Sequence, residues 1–346
     1  MRTIVFFSQL VLLFSFTALA QHNVILESNG ETTIFSSSNA FEDAYNAATD
    51  GDVIYLPGLQ YSSPGEIEKQ ITVYGTGYHP DQTETTGRTR ISGFIFREGS
   101  SGSHFEGIFV NGNIIFAGDA LSDISLKRLH VNGDVQFHRI HSDNCAECAN
   151  ILIRECVMNR FTGRYSNVTN LHLFNNILER IEYIQNSNDG VTNVAWIANN
   201  VVARNTYHAL GHVRNSLVEN NIFVRFGTLG SIFSGNHGNL IRNNVVNLEV
   251  SPDENNTWEN NFFDVNQEEL FIEFSEVYTY ESDYTLQNPG SYQGTTDNEV
   301  GIYGGLQPFK ANTRPSNPQI LNKNIAGSTD EDGKLQVEVE VEAQDE

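Results

Sequence analysis

Four arginines, Arg160, Arg180, Arg204 and Arg225, are the residues of this chain whose type and spacing most invite chemistry. A guanidinium is planar, permanently charged and offers paired N–H donors, so it suits bidentate recognition of carboxylate or sulfate. Each arginine sits four positions after the same point of a recurring segment: ILIRECVMNR, LHLFNNILER, VAWIANNVVAR and SLVENNIFVR. If successive segments stack about 4.8 Å apart, the four form a column. Two readings stay open. Each Arg satisfies turn carbonyls or an acidic neighbour such as Glu179, or the column is a stripe for an acidic polymer.

Other polar residues recur upstream of each segment. They are His138, Arg139 and His141, then Arg164 and Tyr165, then Tyr183, Gln185 and Asn186, then Tyr207, His208 and His212, then Ser231, Ser234 and His237. Stacking would bring them into one groove. The run FHRIHSDNCAECANILIREC adds a second constellation. His138, His141, Cys145 and Cys148 have short spacings that suit zinc, although the usual long gap between ligand pairs is missing. The same cysteines, with Cys156, also allow a Cys145–Cys148 or Cys148–Cys156 disulfide, or buried thiols. Trp196 and Trp258 fall in strand-like runs, where packing is the plainer role.

The elements that must position these groups follow from the repeat. Asn pairs recur at Asn175-Asn176, Asn199-Asn200, Asn220-Asn221, Asn243-Asn244 and Asn260-Asn261, each between two short runs rich in Ile, Val and Phe. The period is about 22 residues, the signature of a solenoid. A leucine-rich repeat needs a strict Leu pattern, which is absent. Asn tolerates the left-handed backbone of a tight turn, and stacked Asn side chains can hydrogen-bond along a column. The expectation is an all-β, right-handed parallel β-helix over residues 53–305, with the second Asn of each pair in one ladder. Leu173, Ile197, Val218 and Ile241 should line the core. An entry helix, with Asn39 and Glu42 as its capping pair and Phe41, Ala44 and Ala48 on one face, should cover the open end.

The balance of the 346 residues bounds the rest. Acidic residues number 43 against 20 basic, a net charge of -23, so phosphate polymers and anionic lipid would repel the chain. With 39% apolar residues it is a folded chain. Residues 1–20, MRTIVFFSQLVLLFSFTALA, read as a secretory signal peptide cleaved near Ala20. The domain reading is 1–20 signal peptide, 21–305 β-helix, and 306–346 polar linker with a terminal β-strand whose valines alternate with glutamates. That strand should pack on the solenoid flank.

The entry helix SNAFEDAYNAATDGDVIYLPG, the Asn-anchored repeat and the closing stretch YTLQNPGSYQGTTDNEVGIYGG together resemble secreted bacterial parallel β-helix proteins of the pectate-lyase-like superfamily. The resemblance covers roughly residues 38–305. It implies a secreted, extracellular or periplasmic protein that acts on acidic polysaccharide, with an Arg or Lys taking the proton beside a uronate carboxylate. Arg164 and His208, with Tyr207, are the catalytic candidates it points to. Arg160, Arg180, Arg204, Arg225, Tyr183 and His138 are the substrate-binding candidates. Asn186, Asn188 and Asp189, within QNSNDG, are the candidate Ca²⁺ ligands. Two departures weigh against activity: there is no compact carboxylate cluster for calcium and no close Asp-Asp pair of the kind β-helix hydrolases use. The reading is therefore a monomer that binds an acidic polysaccharide, with β-elimination an open question and hydrolysis less favoured. It has no nucleic-acid partner and no membrane span. The alternative is a non-enzymatic secreted or cell-surface structural or adhesion protein.

Overall fold

Leu126, Ile153, Leu173, Ile197, Val218 and Ile241 pair in parallel register, one above the next, and each is at most 1% exposed. One apolar residue per coil, flanked by outward residues at period two, is what winds the chain into a solenoid. The computed structural model describes residues 23–83, 87–137, 147–163, 166–186, 191–204, 207–226, 231–296 and 298–343. It is an all-β parallel solenoid of about 9 turns with 5% helix, and the expected core residues are where the repeat placed them.

The first sheet precedes the Asn turn and includes Asn167–Phe174, Ala195–Ala198, Leu217–Glu219 and Leu240–Arg242. The second follows it and includes Val157–Thr162, Ile177–Glu182, Val201–Arg204 and Ile222–Arg225. Between them, the first Asn of each pair takes the left-handed conformation, with φ of 53° at Asn175, 57° at Asn199 and 58° at Asn220. The second Asn makes the ladder. The backbone N–H groups of Asn176, Asn200 and Asn221 each donate at 2.9 Å to the Oδ1 of the next Asn, and Asn244 donates to Asn261 at 3.0 Å. Each amide nitrogen also returns to a carbonyl of the coil behind, as Asn200 Nδ2 does to Leu173 O at 2.8 Å. These Asn side chains are buried and fully paired, which is how a polar residue survives at a solenoid corner.

The helix Ala40–Ala47 buries Ala40, Phe41, Ala44 and Tyr45 against the first coils. Its cap differs from the expected one. Asn39 makes no side-chain cap hydrogen bond; instead Ser37 Oγ accepts from the Asn39 N–H at 3.0 Å and donates to Asp43. An antiparallel pair, Val24–Ser28 with Glu31–Phe35, adds to the same end.

The coils do not continue to residue 305. The last ladder contact is Asn244–Asn261, and Phe271–Glu273 pairs antiparallel with Asp283–Leu286. The reason lies on the outer face of the second sheet, where Val157, Ile177, Val201, Ile222 and Val245 form an apolar column. Leu270, Phe271, Tyr284, Leu286, Val300, Ile302 and Phe309 fold back to cover it. Beyond that, residues 313–316 lie on coils near the N-terminus. Gln319–Ile325 then pairs with Val337–Glu342 as an antiparallel hairpin. The valines of that hairpin are about half exposed, so the terminal strand joins a hairpin rather than packing on the solenoid flank.

Candidate functional site

Arg160 and Arg180 sit in adjacent register on the second sheet, as do Arg204 and Arg225. Between the two pairs the ladder is broken. Backbone pairing of the strand Ile177–Glu182 runs through Ile177–Val201 and Leu178–Val202, then resumes at Ile181–Leu210. The column that the spacing predicted therefore exists as two in-register pairs with a break where His208 enters.

Glu182 is the centre of this cluster, and sequence reasoning missed it. It lies two residues after Arg180, on the same outward side of the strand, in register with Thr162 and Gly211. Its carboxylate is almost wholly buried. Arg160 Nη1 donates to it at 3.0 Å, Arg180 Nε stands 3.2 Å away and His208 Nε2 3.4 Å away. Burial alone would raise its pKa, but His208, Arg180 and Arg160 outweigh burial and hold it below the usual carboxylate range. The only sequence signal was the period-two spacing of Arg180 and Glu182. Gly211 makes room for the ring: a Cβ there would fall 2.0 Å from His208 Cδ2.

The arginines are not equivalent. Arg160 is shared between Asp134 and Glu182, and Arg204 is ion-paired with Glu179. Arg180 stands between them. It is in ion-pair range of Glu182, yet its guanidinium donates no hydrogen bond among the described residues, and its Nε is buried without one. Burial lowers its pKa; the neighbouring Glu182 works against this, while Arg204 and Arg160 add to it. The expected basic stripe is thus corrected in one respect. Asp134, Glu179 and Glu182 offset Arg160, Arg180 and Arg204 charge for charge, so the patch is locally neutral.

Beside the cluster, the Tyr183 and His212 rings stack 4.9 Å apart at an interplanar angle of 3°. His208 meets His212 edge-on at 5.8 Å. Tyr183, Tyr207 and His212 all have positive φ, at 57°, 65° and 55°. Left-handed backbone is costly for such side chains, and its accumulation at one place is a mark of a functional or tightly determined site. Tyr207 is 65% exposed, at the rim.

Some expected residues stand apart from this cluster. Asn186 donates its amide to Val168 O at 3.0 Å and Thr169 Oγ1 at 3.1 Å, which ties it to the coil behind. Asn188, Asp189, Arg164, Tyr165, His138, Arg139, His141, Cys145 and the segment 1–20 lie outside the described residues. Cys148 is disulfide-bonded while Cys156 is a free, buried thiol, which removes both the Cys148–Cys156 pairing and a zinc site using Cys148 as thiolate. Among the described residues, no group of three or more His, Cys, Asp and Glu side chains could hold a metal ion. Nor is any helix among them long and apolar enough to cross a membrane.

Comparison of the chain with protein-family models, with curated proteins and with solved structures finds no match. The fold is therefore read from its own geometry, and the site from its own side chains.

Proposed function

We propose that this solenoid binds an acidic polysaccharide across the second sheet, with Arg180 receiving a uronate carboxylate. The observation that carries the reading is the contrast within the column. Arg160 and Arg204 donate hydrogen bonds to carboxylates, whereas Arg180, with its Nε 3.2 Å from Glu182, donates none among the described residues. Flanking arginines and a fixed Glu182 hold it in place, so little ordering is lost when a carboxylate docks. Tyr183 and His212 offer a stacked surface against which sugar rings can lie.

The same arrangement supports β-elimination as its chemistry. Neutralising the uronate carboxylate at Arg180 acidifies the neighbouring C–H. A carboxylate 3.4 Å from His208 Nε2 favours the tautomer with its proton there, leaving Nδ1 to accept the sugar proton. The C–O bond to the next sugar then breaks, its electron pair leaving on oxygen, which takes a proton from Tyr207 or water. The products are an unsaturated sugar end and a shortened chain. The pectate-lyase-like resemblance and a secreted location belong to the same proposal. The competing reading, a structural column, draws support from the ion pairs of Arg160 and Arg204.

The test incubates purified protein with a panel of uronate-containing polysaccharides and follows both binding and ultraviolet absorbance from unsaturated ends. Arg180→Ala should weaken binding by about 1.5–3 kcal/mol, with Arg180→Lys recovering only part. Binding without absorbance change would leave a binding protein. No binding in the wild type, with a large melting-temperature loss in Arg180→Ala, would leave the structural reading.

A further inference from the structure

A second cavity opens on a different face, over the outer side of the first sheet. It measures about 400 Å³ and lies between that sheet and the chain that folds back over it, with Trp196, Phe174 and Asn199 on one side and Thr295 and Leu306 on the other. It shares no residue with the Arg180 cluster.

Trp196 is 41% exposed here, packed at the coil surface against Phe174 and His172 rather than in the core. Its indole is fixed: Nε1 donates to Glu219 Oε1 at 3.0 Å, and Glu219 is held in turn by Arg242 Nε at 2.8 Å. Phe174 meets the indole edge-on at 5.0 Å, with His172 stacked behind it. An exposed, pre-oriented indole in a concavity is a surface for the C–H face of a ligand ring.

The Asn turn supplies the polar half. In four successive coils the left-handed Asn faces the returning chain. Asn175 donates to Ile302 O and Gly304 O, Asn220 exchanges hydrogen bonds with Thr295, and Asn243 donates to Gln293 O. Among the described residues, Asn199 alone of the four makes no such bond. It is nine-tenths buried, lines the cavity, and its Oδ1 has no partner. A buried amide oxygen without a donor is costly, so a hydroxyl that supplied one would be held firmly. Leu306, 90% exposed at the rim, adds apolar surface that nothing else uses.

We infer that this cavity is a binding site for a neutral sugar unit, its ring stacked on Trp196 and a hydroxyl donating to Asn199 Oδ1. Neutrality follows from the charged lining. Both charged residues of the lining already sit in ion pairs, Glu219 with Arg242 and Arg154 with Glu155 at 3.1 Å, the latter carboxylate shared with Arg128. The volume lies at the small end of the roughly 300–1,000 Å³ range of ligand pockets, which suits one or two sugar rings. The site does not depend on the acidic-glycan reading, since it occupies another sheet and selects a ligand of different charge.

The test titrates the full chain with neutral hexasaccharides of cello-, xylo-, manno- and laminari- type, by calorimetry and by tryptophan fluorescence. The chain has two tryptophans, so a Trp258→Phe background isolates Trp196. Expected is saturable binding to at least one, with a change in Trp196 emission. Trp196→Ala and Asn199→Gly should each weaken it at least about tenfold, glycine being free to keep the positive φ. Arg180→Ala should leave it unchanged, and Trp196→Phe, which keeps a ring, should lose only part. No saturable binding to any of the four would overturn the inference. So would a folded Trp196→Ala protein, checked by circular dichroism, that binds as the wild type does.

Discussion

One turn column runs the length of the solenoid and is filled in two ways. In the later coils the left-handed position holds Asn175, Asn199, Asn220 and Asn243. In the earlier coils it holds Gly107, Arg128 and Glu155, the last two with φ of 51° and 55°. Arg128 is the largest fully buried side chain. Its Nη1 donates to Glu106 at 2.9 Å and its Nε to Glu155 at 3.1 Å, while Lys127 and Arg154 add two further cations around the same two carboxylates. Both fillings do the same work at different cost. Gln293, Thr295, Ile302 and Gly304 are pinned by asparagines, and residues 313–316 by ions. Arg128 donates to Arg314 O at 3.0 Å, and Ser316 donates to Glu106 through its N–H at 3.0 Å and its Oγ at 2.7 Å. The C-terminal chain is thus a strap that runs back along the solenoid and links coils distant in sequence. A solenoid is ordinarily a sum of nearest-neighbour terms; the strap adds long-range ones, so unfolding should be more cooperative than coil stacking alone would give.

The strongest way to break the comparison is at the ionic end. Arg128→Ala leaves Glu106 and Glu155 buried without their shared partner and should cost about 3–5 kcal/mol in denaturant unfolding. A cost near that of an Asn substitution would mean the two fillings are energetically alike.

Acid should separate the two ends next. Burial by itself raises the Glu106 pKa, but hydrogen bonds from His104 and Ser316 and the charge of Lys127 bring it down from 4.5 to about 2. A carboxyl depressed in the folded state stabilises fully above its unfolded pKa, and that contribution disappears as pH falls through the folded value. Between pH 4.5 and 2 the ionic end should lose roughly 3 kcal/mol. The stability gap between wild type and Glu106→Gln should close over that window, whereas the Asn200→Ala gap, which involves no titrating group, should persist.

The asparagine end should respond more weakly. Asn200→Ala removes the acceptor for Asn176 and the donor to Leu173 O and Asn221 Oδ1, all buried. Unsatisfied groups of this kind cost about 1–3 kcal/mol. Thermal unfolding with a raised baseline slope, rather than a simple shift, would show that the ladder also carries cooperativity.

The smallest effect belongs to the strap itself. Ser316→Ala removes one hydrogen bond to Glu106 while the N–H contact remains, and should cost about 1 kcal/mol at neutral pH. At pH 2, with Glu106 half protonated, the same substitution should cost measurably less.

The solenoid was legible in the sequence because it is a local code written many times. The Asn pairs, the apolar residue two or three places before them and the Arg four places after are all set by one coil, and stacking only repeats them. Arg160 and Arg180 duly share a register, as do Arg204 and Arg225. The site around them was less legible. Glu182 is an ordinary acidic residue until His208 is brought onto it by the break in the ladder, and Gly211 matters only because that ring lies over it. Arg128 and Glu155 gave no ladder signal, since they substitute ions for the Asn on which the repeat was aligned. Trp196 was read as packing because strand position does not say which outward face stays uncovered.

Sequence alone therefore determined what depends on neighbours within one coil: the all-β parallel solenoid, its core residues, the left-handed Asn turn and the arginine slot. Tertiary structure decided everything that depends on which coil a distant segment returns to. It turned residues 265–316 from further coils and linker into a cover and strap, because an outward Val and Ile column needs an apolar partner that no single coil can supply. Among the described residues it left Arg180 donating no hydrogen bond between two arginines that do, and Asn199 Oδ1 without a partner beside three asparagines bonded to the returning chain. Whether a polar atom is satisfied is a property of the finished packing, and residue type and spacing cannot carry it.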